Sequence, residues 1–350
     1  MVGGWWRLVG GVHHRRPTSH LPANSYELQA TSYVGASMVR QMMRVVVLAA
    51  LCCAPLVAVQ ETQHVQDTQH VFRSESDLVV LHVNVFNGRS DAVPELPQSA
   101  FRIFEDDQPQ DITFFSGADV PVAVGLILDN SSSMIARQGM LIAGGAAFAR
   151  SSHENDELFT VHFNEHIQFG LPGGVLFTDR GALIQAALSR YRPGGRTALY
   201  DAVIAGLNRL ESASNQKRVL VVLSDGEDNA SLQSEDTMLE RARASNTMIY
   251  TVSNAKRYGD LGGDAGLLRS LARVTGGMAY FPDTDQEVVE SLDRIAGNIR
   301  RGYLIGYVPA NSVHDGTYRR VKVLVRAPGK RDLRVQSRDG YRAHRHADSQ

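Results

Sequence analysis

The sequence predicts an α/β protein: a doubly wound, mostly parallel sheet over residues 119–301, with a small all-β subdomain formed by the flanking segments. Three observations lead there. From Val120 onward, short apolar runs alternate with amphipathic segments of helical period. Residues 121–128 are apolar without interruption, and residues 218–223 read the same way, as strands buried on both faces should. The flanks, residues 77–118 and 302–342, instead carry β-branched and apolar runs punctuated by turn residues.

The chain has 350 residues, enough for one large domain and a small one. Its 43% hydrophobic and 21% charged residues are those of an ordinary globular protein. A formal net charge of −1 argues against a broad nucleic-acid-binding surface. Residues 38–44 are basic, and the apolar run 45–58 that follows ends among small residues such as Ala54 and Ala58. That order reads as a secretory signal peptide, so residues 1–60 are assigned to a signal region, with Met38 or Met42 as the true start. The alternative is an uncleaved membrane anchor, but the run falls short of the roughly 20 residues that span a bilayer. A lipoprotein reading of Cys52 or Cys53 lacks the small residue expected directly before the modified cysteine. The mature chain, expected to begin between about residues 55 and 62, then has no cysteine, no stable transmembrane span, and a secreted or periplasmic address.

Residues 61–76 are polar and repeat Thr-Gln-His-Val, which reads as a linker. His64 and His70 could in principle bind metal there, but a solvated linker is the preferred reading. Residues 78–86 form the first strand, closed by the Asn87-Gly88 turn. Residues 101–104 and 111–115 flank a polar, turn-rich stretch and read as a second hairpin. Beyond Val120 come strands at 121–128, 156–163, 218–223, 248–252 and 278–281. Helices alternate with them at 140–150, 179–190, 198–210, 235–244, 267–274 and 285–300. The last presents Val288, Val289, Leu292, Ile295 and Ile299 on one face. Strands return at 303–308, 319–325 and 333–335, before a polar tail at 343–350. Two or three strands cannot bury an apolar face alone. The flanks are therefore expected to share one sandwich, with Leu81, Val83 and Val85 packing against Val321, Val323 and Val325.

Three segments carry chemistry. Asp129-Asn130-Ser131-Ser132-Ser133 follows the first buried strand directly, where open α/β sheets place their ligand crevice. Gly194-Gly195-Arg196-Thr197 puts a threonine on a glycine-rich loop ahead of a helix, and Ser224-Asp225-Gly226-Glu227 ends another buried strand. Asp129, Ser131, Ser133, Thr197 and Asp225 all offer oxygen, which suits a hard divalent cation: Mg²⁺, or Mn²⁺ or Ca²⁺. One D-x-S-x-S alone is weak, because Asp and Ser are ordinary loop and cap residues. Three such segments at strand ends are stronger.

In order and spacing these segments resemble the metal-ion-dependent adhesion site (MIDAS) of von Willebrand factor type A domains, and the likeness covers roughly residues 120–300. With its flanks the chain is similar to the secreted type A-related proteins first catalogued as an Acidobacterial-type family. The matching features are Phe101 to Asp107, Tyr303 to Tyr307, and Gly340-Tyr341. Asp107 departs from the glycine more usual there. The resemblance implies a Rossmann-like domain in which Ser131 and Ser133 bind the ion directly. Thr197 would bind directly or through water, and Asp129 and Asp225 would act mainly through bound waters and the hydroxyls. Three neutral hydroxyls leave the ion electrophilic, ready for a carboxylate from a protein or matrix ligand. Arg196, Asn130 and Glu227 are candidates for the rim around that ligand, although a structural role, a salt bridge to a loop carboxylate, is favoured for Arg196. A degenerate domain that keeps the fold without metal is the alternative.

Enzyme readings fare worse. No G-x-S-x-G elbow and no phosphate-binding glycine motif is present. An aspartyl phosphatase would want a second Asp where Ser131 stands. His162 and His166 fall on a strand and its turn, too far apart for a shared metal. The expected function is a secreted adhesion-like binding module and not an enzyme. A non-catalytic scaffold of a cell-envelope complex, with structural metal, is the leading alternative.

Overall fold

The computed structural model describes residues 78–88, 91–117, 119–253, 263–330 and 332–343. The expected signal region, the linker, and the tail from His344 onward lie outside the described residues.

The central sheet contains β6 (Val122–Asp129), β7 (Glu157–Phe163), β8 (Ile167–Phe169), β9 (Lys217–Leu223), β10 (Thr247–Val252) and β11 (Ala279–Tyr280), numbered along the chain after five N-terminal strands given below. Their spatial order is β11-β10-β9-β6-β7-β8. All pairs are parallel except the edge strand β8, which runs antiparallel to β7. Each residue of β6 is buried, which is why its sequence shows no alternation.

Among the described residues six helices cover the sheet: α1 (Gln138–Arg150), α2 (Gly181–Leu188), α3 (Leu199–Glu211), α4 (Glu235–Ala244), α5 (Ala265–Val274) and α6 (Asp285–Arg301). α1 packs against α2 and α6, while α4 packs against α3 and α5, giving a layer on each face. Gly144 and Gly145 let α1 nest between its neighbours: a Cβ would stand 2.4 Å from Leu292 at the first and 2.8 Å from Leu188 at the second. The caps follow local chemistry. Ser234 and Thr284 side chains accept from Thr237 and Glu287 N–H, and Asp264 Oδ1 accepts from Leu267 N–H. Among the described residues no helix is long and apolar enough to cross a membrane.

The flanks form two antiparallel sheets. One joins β1 (Val79–Asn87), β2 (Asp91–Ala92), β5 (Ile112–Ser116), β12 (Tyr303–Tyr307) and β14 (Leu333–Gln336). The other joins β3 (Phe101–Glu105), β4 (Gln108–Gln110), β13 (Tyr318–Val325) and β15 (Gly340–Arg342). N- and C-terminal segments pair in both, Leu81 opposing Ile305, Val85 opposing Val335, and Ile103 opposing Val323. They alternate strand by strand in the first sheet, whereas in the second they meet at the β13–β3 pair alone. Leu81, Val83, Val85, Val321 and Val323 lie in one buried cluster, with Val325 packed against it at the edge. Phe101 anchors it, its ring 4.9 Å from that of Tyr303 and 5.4 Å from that of Phe115.

The second hairpin differs from expectation. Its arms are β3 and β4, with Glu105 opposite Gln108, while β5 leaves to pair with β12 in the other sheet. The two-residue turn, Asp106 and Asp107, has φ of 46° and 65°. Two positive φ values are what a tight hairpin turn needs, and this is why glycine is at home where Asp107 stands.

β1 is buried on both faces. Its odd-numbered residues face the sandwich core, and its even-numbered ones meet the α/β layer. Asn84 Nδ2 donates to Tyr250 Oη at 2.9 Å, and His82 Nε2 lies 3.0 Å from Asn246 O. Burial pulls the His82 imidazole from 6.5 down to about 3, and that of His162 to about 4. Below pH 6.5 the unfolded chain therefore binds protons that the folded chain refuses, so stability falls as pH drops toward those values. Asp129, raised to about 6, contributes in the opposite sense between pH 3.8 and 6. The difference between the parent and His82→Gln isolates one histidine. Between pH 7 and pH 5 the parent should lose about 2 kcal/mol relative to the variant in urea titrations. A difference independent of pH would contradict a buried neutral His82.

Candidate metal centre

The crevice forms where β6 and β9 end side by side. Asp129, the last residue of β6, is fully buried. Its Oδ1 accepts the Ser131 N–H at 2.9 Å, and its Oδ2 accepts the Ser224 hydroxyl at 2.6 Å. The Ser224 hydroxyl in turn accepts from Gly226 N–H at 3.1 Å, so one serine ties the ends of both strands together. After Ser131 the chain turns through a 3₁₀ segment, Ser132–Arg137, into α1. Ser131 is buried and Ser133 exposed, and their hydroxyls lie 3.1 Å apart. This pair leads from the buried carboxylate to solvent.

The threonine loop is fastened to the same place. Ser132 N–H donates to Gly195 O at 3.1 Å, and Gly194 N–H to Asn130 O at 2.7 Å. Gly195 has φ of +86°, and a Cβ there would collide with the Glu165 carboxylate, whose Oε2 accepts the Arg196 N–H at 2.8 Å. Thr197 is buried; its N–H donates to Asn229 Oδ1 at 2.9 Å, and its carbonyl accepts from Asn229 and Ala230 N–H. Asp228 Oδ2 accepts from Tyr200 N–H at the start of α3 and from the Ser231 hydroxyl. The three loops named from sequence therefore interlock.

Asp225 is buried, with Oδ1 accepting the Glu227 N–H at 3.2 Å and Oδ2 facing the Arg137 guanidinium at 3.4 Å. Arg137 and Ser224 are the two site residues that sequence reading missed. Ser224 sits inside the segment quoted for Asp225, and its position directly before that aspartate at the end of a buried strand was the available signal. Arg137 carried no such signal.

The rim candidates separate. Arg196 is exposed and Glu227 half-buried. Asn130 is buried, with Oδ1 3.0 Å from His162 Nδ1, so its side chain is turned toward β7. His166 is exposed, and the two histidines form no pair.

The electrostatics suit a cation. Burial pushes the Asp129 carboxyl up to about 6; hydrogen bonds from Ser131 and Ser224 oppose this, and the nearby Asp225 adds to it. Among the described residues Asp225 pairs with Arg137 while Asp129 is held by neutral donors, an arrangement that a further cation would suit. Among the described residues no group of three or more His, Cys, Asp or Glu is placed to hold a metal, so a centre here must draw on hydroxyls. An all-oxygen set of carboxylates and hydroxyls fits a hard divalent ion.

Residues 124–294 match the family model described as von Willebrand factor type A domain. Among solved structures the chain is similar to a von Willebrand factor type A protein from Catenulispora acidiphila, with 14% identity, 79% of this chain and 76% of that one covered, and a TM-score of 0.47. It is similar to the vWF domain of the type V pili tip protein Mfa5 from Porphyromonas gingivalis, at 15% identity, 52% and 95% coverage, and a TM-score of 0.43. Proximal thread matrix protein 1 from the mussel byssus, with a zinc-occupied MIDAS motif, aligns at 16% identity, 55% and 48% coverage, and a TM-score of 0.43. No curated protein matches the chain.

Proposed function

We propose that this chain, whose residues 124–294 form a von Willebrand factor type A domain, is a metal-dependent protein-binding module of a secreted or periplasmic protein. The observation that carries the reading is the serine pair that opens from buried Asp129 to solvent, backed by a second buried carboxylate, Asp225. Ser131 and Ser133 hold the cation directly. Thr197 binds directly or through water, and Asp129 and Asp225 act through bound water and the hydroxyls. When bound, the ion supplies an under-neutralised, electrophilic centre able to accept a carboxylate oxygen from a protein or matrix ligand. This is association and needs no bond-breaking step. Mg²⁺ is the first choice for an oxygen-only site, with Mn²⁺ or Ca²⁺ as substitutes. The basic-then-apolar segment at residues 38–58 supports export, and Phe101 to Asp107 with Gly340-Tyr341 support the Acidobacterial-type assignment.

A second reading, a scaffold subunit of an envelope complex with structural metal, draws on Arg137, which already brings one positive charge to Asp225. An immobilised library of acidic peptides separates the two. Capture in Mg²⁺ that EDTA abolishes is the expected result. A chelator-induced drop in melting temperature, with no peptide captured, favours the scaffold.

A further inference from the structure

Away from the metal centre, four guanidinium groups converge where the sandwich meets α4 and the turn after it. Arg243, Arg319, Arg338 and Arg342 line a cavity of about 60 Å³ there, with His314 and Tyr341. Carboxylates balance only part of this charge. Arg243 and Arg342 share Glu240, at 2.8 and 2.9 Å, and Arg319 pairs with Glu105 at 3.3 Å. Arg338 is 6% exposed, and its contacts are neutral: it donates to Val80 O at 2.8 Å, and to Ser245 O and Asn246 Oδ1 at 3.4 Å. Among the described residues the ion pairs of these four cations thus draw on two carboxylates, with the exposed Asp315 adding to the field at Arg319. Carbonyl oxygens satisfy N–H groups without cancelling the charge, and leaving a buried charge uncompensated is costly. Burial accordingly pulls Arg338 below the usual arginine pKa. The Nε atoms of Arg319 and Arg338 are both buried, and among the described residues neither has a hydrogen-bond partner.

We propose that this cavity binds one small oxyanion, a carboxylate, phosphate or sulfate group, with Arg338 and Arg319 beneath it and Arg243 and Arg342 at its mouth. A space that admits about four water-sized groups suits such an ion and excludes a nucleotide or cofactor. Arg319, Arg338 and Arg342 come from the sandwich, whereas Arg243 comes from α4. A bound oxyanion therefore bridges the two layers and stiffens their seam.

The test is a titration of the intact chain with phosphate, sulfate and acetate against chloride at constant ionic strength, followed by calorimetry and thermal melting. One saturable site is expected, with a rise of roughly 5 °C at a hundredfold excess over Kd. Preference for phosphate and sulfate assigns a tetrahedral group, and preference for acetate a carboxylate. Arg338→Gln should abolish the effect. Because that side chain also clamps three backbone and side-chain oxygens, the double variant Arg243→Gln/Arg342→Gln, confined to the half-exposed mouth, provides the second arm. It should stay folded and bind about tenfold more weakly. Equal response to chloride and to the oxyanions, or unchanged oxyanion affinity in the folded double variant, overturns the proposal.

Discussion

Replacing Ser131 and Ser133 together by alanine is expected to lower Mg²⁺ affinity by at least ~100-fold, about 2.7 kcal/mol, while the sheet stays folded. The two hydroxyls are adjacent in space and lead from the buried carboxylate to solvent. Their loss removes the two direct ligands of the proposed centre. The loop itself hangs on backbone contacts that alanine retains. Ser131 N–H still reaches Asp129, Ser132 N–H still reaches Gly195 O, and Met134 N–H still reaches Ser131 O. The stability change should therefore stay near 1 kcal/mol or below. Calorimetry with Mg²⁺, Mn²⁺ and Ca²⁺ on parent and variant decides the matter. Metal affinity unchanged by the double substitution would remove these residues from the site.

Glu105→Ala should be among the most destabilising single changes in the molecule, at about 3–5 kcal/mol. Glu105 is 3% exposed at the end of β3, inside the sandwich. Its Oε2 accepts the hydroxyls of Tyr307 and Tyr341 at 2.7 and 2.8 Å, and its Oε1 faces Arg319. Those partners sit on β12, β15 and β13, so one carboxylate joins strands from both halves of the chain. The hydrogen bonds to Glu105 hold both tyrosine hydroxyls protonated, with pKa values well above the usual, an effect secondary to their burial. Alanine would strand the Arg319 charge and two hydroxyls in the interior together. Glu105→Gln, which keeps an oxygen acceptor, should cost less than alanine. Urea titrations followed by circular dichroism measure both. A loss below about 0.5 kcal/mol for alanine, the range of ordinary surface substitutions, would mean that this network does not hold the sandwich.

The Glu105 network also shows where sequence legibility ends. Glu105, Tyr307 and Tyr341 belong to three short motifs visible in the sequence, yet their meeting point was not. Apart from the three-residue edge strand β8, the order of strands and helices from Val122 to Arg301 was legible because its signals are local. β6 is buried on both faces and so is continuously apolar, and α6 repeats its apolar residues every three or four positions. Asp129, Ser131, Ser133, Thr197 and Asp225 were legible for a related reason. A parallel sheet puts the residues that follow its strands at one edge, so strand ends far apart in sequence share one crevice.

Long-range choices among equivalent partners were not legible. Residues 112–116 alternate well enough to pair with β3, but β4 takes that edge and β5 joins β12 instead, with Ile305 opposite Phe115. Nor does local pattern say which way a side chain turns once the loops close. Asn130 turns inward to His162, and Arg137 reaches Asp225 across 88 residues of chain. The fold also sets Arg338 in one cavity with Arg319, where among the described residues no carboxylate pairs with it. By itself the sequence determined most of the elements, their order and which oxygen-bearing side chains gather in the crevice, since periodicity and turn chemistry act over a few residues, and it pointed to one sandwich shared by the two flanks. Strand partners and the burial of each charge were decided only by the tertiary structure, because they depend on which distant surfaces exclude water together.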